Sequence, residues 1–129
     1  MNINELLNQH FGIVETNFKN LSKLNFCGVY IICDKDNEVV YVGSAYARSI
    51  QARLKQYLSP KDTGNTLGKA IAKSLAQSKK YDENAKLKMK DAIIKIKTYK
   101  IFAIKHNDLE YKLIDASKPK YNNIGIGED

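Results

Sequence analysis

The stretch "GVYIICDKDNEVVYVG", residues 28–43, restricts the fold of this chain more than any other. Two runs rich in β-branched and aromatic residues, 27–33 and 38–42, flank Asp34-Lys35-Asp36-Asn37, a turn composition, so an antiparallel hairpin is expected here. An even-length turn centred between Lys35 and Asp36 would set Tyr30 opposite Tyr41, Gly28 opposite Gly43 and Ile32 opposite Val39. Val29–Val42 and Ile31–Val40 would then pair on the other face. Side chains alternate along a strand, so one face of the hairpin is plain apolar core. The other carries two phenols beside a patch where both strands lack a side chain. Glycine weakens a strand and is placed where something must come close to the backbone. A cross-strand aromatic pair worth a few tenths to about 1 kcal/mol accounts for the tyrosines equally well, so packing and a site both stand at this point.

The rest of the chain reads as short elements around that hairpin. Residues 2–10 predict a short helix, and 1–26 as a whole a helical or looped lead-in. The segment "YARSIQARLKQYL", 46–58, spaces Ile50, Leu54, Tyr57 and Leu58 for a helix. A second helix is expected over 66–79, with Leu67, Ile71 and Leu75 on one face, and a third over 83–94. The alternation opening "IKIKTYKIFAI", 94–104, predicts a third strand, and 107–117 a last helix before Pro119. The expected fold class is therefore α/β (α+β): a small three-stranded, mostly antiparallel sheet flanked by helices. At 129 residues this is one domain. The longest apolar run, "FCGVYIIC", is too short to cross a bilayer, and the first ten residues lack the pattern of a secretory signal. Cys27 and Cys33 lie about 20 Å apart on one predicted strand and cannot bridge, so a cytoplasmic, reduced protein is expected.

Charge is concentrated. Residues 53–105 hold 14 Lys/Arg against 4 Asp/Glu, whereas the flanking segments are slightly acidic. Such a block suits a phosphate backbone, an anionic surface or an acidic partner, or is a solvated lysine-rich face. The only two arginines, Arg48 and Arg53, both follow the second tyrosine-glycine motif, and Arg is suited to forked phosphate contact.

Taken together, these residues resemble the GIY-YIG nuclease family. Gly28-Val29-Tyr30 stands for the first motif and Tyr41-Val42-Gly43 for the second. "ARLKQY" supplies Arg53 and, one turn later, Tyr57; "EYKLI" supplies Glu110, and "PKYN" supplies Asn122. Arg48 competes with Arg53, since Arg53 follows Tyr41 by two residues more than in many members. The basic stretch 59–95 fits no part of the family pattern and reads as a helical insertion within a nuclease domain spanning 27–129.

The resemblance implies an Mg²⁺-dependent (or Mn²⁺-dependent) DNA endonuclease of low or unknown sequence specificity; a catalytically silent nucleic-acid-binding module of the same fold is the alternative. Homo-oligomerisation is left open, and no membrane partner is expected. In the implied chemistry Glu110 binds the metal, Arg53 holds the phosphate, Tyr57 relays a proton and Asn122 orients the site. Tyr30 or Tyr41 acts on the attacking water. A phenol titrating near 10 must be lowered by roughly 2 to 3 units, about 3 to 4 kcal/mol, to act as a base at neutral pH. Asn107-Asp108-Leu109-Glu110 also reads as a capping box, in which Glu110 serves the helix start. Gly43, Arg48, Lys69, Lys73, Lys79 and Lys80 are candidates for contact with DNA.

Overall fold

The structure, a computed structural model, describes residues 12–61, 64–105 and 119–121. Four strands lie within them: β1 (Val14–Asn17), β2 (Gly28–Cys33), β3 (Val39–Ala45) and β4 (Lys100–Ile104), in the spatial order β1-β4-β2-β3 with every neighbour antiparallel. The mixed α/β class with an antiparallel sheet is as expected, but the sheet has one strand more. The extra strand comes from the lead-in, where "VETN" is too polar and short to announce itself. It forms because β4 offers it a free edge, and only Thr16 of the four residues is buried.

The hairpin is present, but its register differs from the even-turn pairing by two residues. Asn37 adopts a left-handed conformation (φ 64°), which Asn tolerates better than most residues, and its N–H donates to the Asp34 carbonyl at 3.1 Å. That turn adds one residue, which alone would send Tyr41 to the wrong face. A bulge at Val40 adds a second, so Cys33 faces Val39 while Ile32 faces Tyr41. The two irregularities cancel in parity. Both tyrosines keep the same face, yet Tyr30 now pairs with Gly43 and Gly28 with Ala45. The Val40 carbonyl accepts the N–H of Tyr121 at 2.9 Å, which ties the "PKY" segment to this edge of the sheet.

After the hairpin come α1 (Ile50–Gln56), α2 (Thr66–Ala76), α3 (Glu83–Leu87) and α4 (Met89–Ile96). Ser49 caps α1 by accepting from Ala52 N–H at 3.1 Å, and Ile50 N–H donates to the Phe26 carbonyl at 2.8 Å, fixing the helix start beside β2. The helical reading of 83–94 resolves into α3 and α4, and residues 94–96 end α4 rather than begin a strand. Ile93 and Ile96, three apart, are buried while Ile94 is 57% exposed, so helical spacing overrides the "IKIK" alternation. Leu75 is likewise exposed in the last turn of α2, where Leu67 and Ile71 are buried. The helices expected at 2–10 and 107–117 lie outside the described residues.

One core cluster joins Tyr30, Ile32 and Val40 of the sheet to Ile50, Leu54, Tyr57, Leu67, Ile71, Met89, Ala92, Ile93 and Ile96. The basic 59–95 stretch therefore shares its hydrophobic core with the hairpin. The other face of the sheet buries Val29, Ile31, Cys33, Val42, Phe102 and Ile104. Among the described residues no helix is long and apolar enough to cross a membrane.

Candidate active site

Two glycines of the hairpin are explained by what lies against them. A side chain at Gly28 (φ 156°) would run into the backbone of Ile104 and Lys105, the end of β4. At Gly43 it would run into a ring: an added Cβ would stand 2.8 Å from Tyr30 Cε2 and closer still to Cζ and Oη. The Tyr30 ring lies flat over Gly43 because there is no side chain to lift it.

From that seat Tyr30 meets three other groups. Its ring stacks on Tyr41 at 6.5 Å between centroids, and Tyr57 packs edge-on against both, at 6.2 and 5.9 Å. The Tyr30 and Tyr57 hydroxyls are hydrogen-bonded at 2.5 Å. Arg53, one turn before Tyr57 on α1, lays its guanidinium over the Tyr57 ring, 5.1 Å from the centroid. One of its terminal nitrogens, Nη1, donates to Gln56 Oε1 at 2.5 Å and to the Gly64 carbonyl at 3.0 Å. Tyr41 reaches Thr66 Oγ1 at 3.3 Å. Four groups from β2, β3 and α1 thus converge on one spot.

Depth divides the cluster. Tyr30 and Tyr57 are fully buried, whereas Tyr41 and Arg53 are half-buried and reach solvent. Burial pushes the Tyr30 phenol well above the ordinary tyrosine range, and neighbouring Tyr41 adds to the shift; hydrogen bonds from Tyr57 and Arg53 offset only part of it. Burial raises Tyr57 in the same way. Desolvation works against the Arg53 charge, but the Tyr57 and Tyr30 oxygens outweigh it and its pKa is raised. At neutral pH the arrangement is a permanent cation held over the neutral Tyr57 ring and bonded to the neutral Tyr30 hydroxyl, with a third phenol beside them.

Of the other sequence candidates, Arg48 lies exposed on the loop before α1. Lys69 sits half-buried over Tyr81, 5.8 Å from the ring centroid, and Lys79 and Lys80 are exposed just past α2. Lys73 is a correction: it is 1% exposed and engaged inside the fold, so its ammonium is not available to track a nucleic-acid backbone. Glu110 and Asn122 lie outside the described residues, although Tyr121, which precedes Asn122, is anchored at Val40 next to Tyr41 in the chain. Gln56, Asn65 and Thr66 escaped the sequence reading. Asn65 caps α2 through Gly68 N–H at 2.9 Å, and its Nδ2 donates to the Tyr57 and Ser59 carbonyls at 3.2 and 2.7 Å, docking α2 onto the end of α1. An Asn just before a helical stretch was the available signal for that cap, and Gln56, three residues after Arg53 on one helix face, was equally open to view.

The family model of the GIY-YIG catalytic domain matches residues 26–122, about three quarters of the chain. The chain belongs to the GIY-YIG family. Comparison with curated proteins gives no match. The two motifs of the GIY-YIG domain are the strands that meet at Gly43, and the matched interval includes α2 to α4 as well as the hairpin. Membership carries a nuclease-type function and a nucleic-acid substrate.

Proposed function

We propose that this domain is a metal-dependent endonuclease that hydrolyses DNA phosphodiester bonds, in which Arg53 takes the scissile phosphate and Tyr41, having first released its hydroxyl proton to solvent, accepts as the phenolate the proton of the attacking water. The observation that carries the reading is the convergence, from three elements, of the Tyr30, Tyr41 and Tyr57 rings within 6.5 Å of one another, with Arg53 5.1 Å from the Tyr57 centroid. A guanidinium has five N–H donors, and those not engaged by Gln56, Gly64 and the Tyr30 hydroxyl can fork onto phosphate oxygens. Tyr41 is favoured over Tyr30 as proton acceptor because it reaches solvent. Tyr30 is buried, bonded to Tyr57 and shifted away from ionisation. Tyr30 and Tyr57 instead form the neutral floor on which the cation rests.

Glu110 is the residue that would hold the metal, with Asn122 orienting the site. Among the described residues no three His, Cys, Asp or Glu side chains gather into a metal site, and of the two cysteines Cys33 is buried and Cys27 exposed. A site built on the Glu110 carboxylate, completed by water and the substrate's own phosphate, would suit a hard cation such as Mg²⁺ or Mn²⁺. When bound, such an ion neutralises charge developing on the leaving oxygen. Arg48, Lys69, Lys79 and Lys80 are the cations proposed to contact the DNA backbone.

A supercoiled-plasmid assay tests the reading. Conversion to nicked or linear DNA is expected with Mg²⁺ or Mn²⁺, and none with EDTA. Arg53→Ala and Tyr41→Phe should each lose on the order of 10²-fold or more in rate. Glu110→Ala cutting as fast as the parent would refute the metal-ligand assignment, and an active Tyr41→Phe would refute the proton acceptor. A parent chain that binds DNA yet never cuts with either ion would be a silent binding module.

A further inference from the structure

The guanidinium of Arg53 is held on two sides, and the groups at its edge lie outside the family motifs. Below it lies the Tyr57 ring; at its edge Nη1 is shared between the Gln56 side-chain oxygen at 2.5 Å and the Gly64 backbone carbonyl at 3.0 Å. Gln56 ends α1 and Gly64 leads into α2, so the corner between these helices closes on the arginine from the basic stretch. The same corner supplies Thr66, whose hydroxyl stands 3.3 Å from that of Tyr41. Gln56 is half-buried, as is Arg53. A neutral amide oxygen orients a guanidinium without cancelling its charge. A carboxylate in the same place would form a forked ion pair and compete with phosphate.

We propose that Gln56 is a positioning residue: together with the Gly64 carbonyl it fixes one edge of the Arg53 guanidinium so that the remaining N–H groups face the substrate phosphate with full charge. The inference rests on the nuclease reading above and extends it to a residue in the α1–α2 corner. Misplacing a phosphate clamp by an ångström costs rate more than binding, because the contact must be in register when charge develops.

Three chains are compared: parent, Gln56→Ala and Gln56→Glu. In plasmid or oligonucleotide cleavage, Gln56→Ala should lower kcat about tenfold with KM changed less than about threefold, since the Gly64 carbonyl remains. Gln56→Glu should fall at least as far in kcat and also raise KM, although it preserves the hydrogen bond. A merely structural Gln56 predicts the reverse, with Gln56→Glu as active as the parent. An independent readout comes from the guanidinium itself. With only Arg48 and Arg53 in the chain, Arg48→Lys assigns the arginine side-chain NMR signals. The Nη groups of Arg53 should show hindered rotation in the parent and free rotation in Gln56→Ala. Unchanged kcat in Gln56→Ala, parental activity in Gln56→Glu, or an Nη spectrum indifferent to Gln56→Ala each overturns the proposal while leaving an active parent enzyme. A parent that cuts nothing instead overturns the nuclease reading, and this inference falls with it.

Discussion

Replacing Gly43 by alanine tests whether the second motif exists to seat a ring. Gly43 is not among the positive-φ residues, so alanine meets no backbone obstacle there, and in a strand alanine is ordinarily better by about 0.5–1 kcal/mol. Against that gain, the new Cβ would lie 2.8 Å from Tyr30 Cε2 and nearer to Cζ and Oη. Tyr30 is 1% exposed and packed in the main core, so its ring cannot swing out into solvent. Overpacking of this kind costs about 1–3 kcal/mol, and pulling the Tyr30 hydroxyl off Tyr57 adds about 0.5–1.5. The net loss is about 0.5–4 kcal/mol, centred near 2, which lowers the melting temperature by roughly 6–10 °C at that centre for a domain of this size. Calorimetric or circular-dichroism melts of Gly43→Ala measure it. The decisive control repeats the change in a Tyr30→Leu background, where the ring is gone and the alanine should be neutral or mildly stabilising. Equal costs in both backgrounds would refute the reasoning, because the strain would then have another source.

Two further outcomes follow from the buried polar groups. Tyr30, Tyr57 and Tyr99 all have phenol pKa values raised by burial, so the folded state keeps protons that the unfolded state gives up near pH 10. Stability should be fully present below pH 10 and fall as pH rises above it, by up to about 1.4 kcal/mol per pH unit for each phenol. Urea melts at pH 9 and pH 11 should show the loss, and Tyr30→Phe should shrink it; a flat profile refutes it. Asn65→Ala removes a helix cap and the donor to two carbonyls and should cost about 2–4 kcal/mol in the same melts, whereas a cost under about 1 kcal/mol would mean that α2 docks by its apolar face alone.

The order and kind of the central elements could be read from the chain because they depend on local pattern: β-branched runs around a turn, and apolar residues at helical spacing. What was hidden depended on tertiary choice. The strand at 14–17 has no pattern of its own and exists because β4 presents an edge. The end of α4 was misread because Ile94 and Ile96 mimic alternation, while burial selects Ile93 with Ile96. Lys73 looked like one more surface cation, and only packing around α2 places it inside.

The hairpin register shows how a site can survive an error in the strands that build it. Both the even turn and the observed turn with its bulge leave Tyr30, Tyr41 and Gly43 on one face, because a shift of two preserves side-chain parity. The face was therefore open to inference from letters, but the partner was not. Under the even turn Gly43 would oppose Gly28, and the two phenols would face each other as a plain cross-strand pair. In the observed register Gly43 lies under the Tyr30 ring, Tyr41 becomes its diagonal neighbour, and the vacated space lets Tyr57 enter edge-on with Arg53 behind it. The bulged residue Val40 thus does more than bend an edge strand. Were Val40 instead to pair with Ile32 in a regular ladder, the turn's extra residue would stand alone, Tyr41 would fall opposite Ile31 on the other face, and the half-exposed phenol beside Arg53 would be lost while Tyr30 and Tyr57 kept their bond.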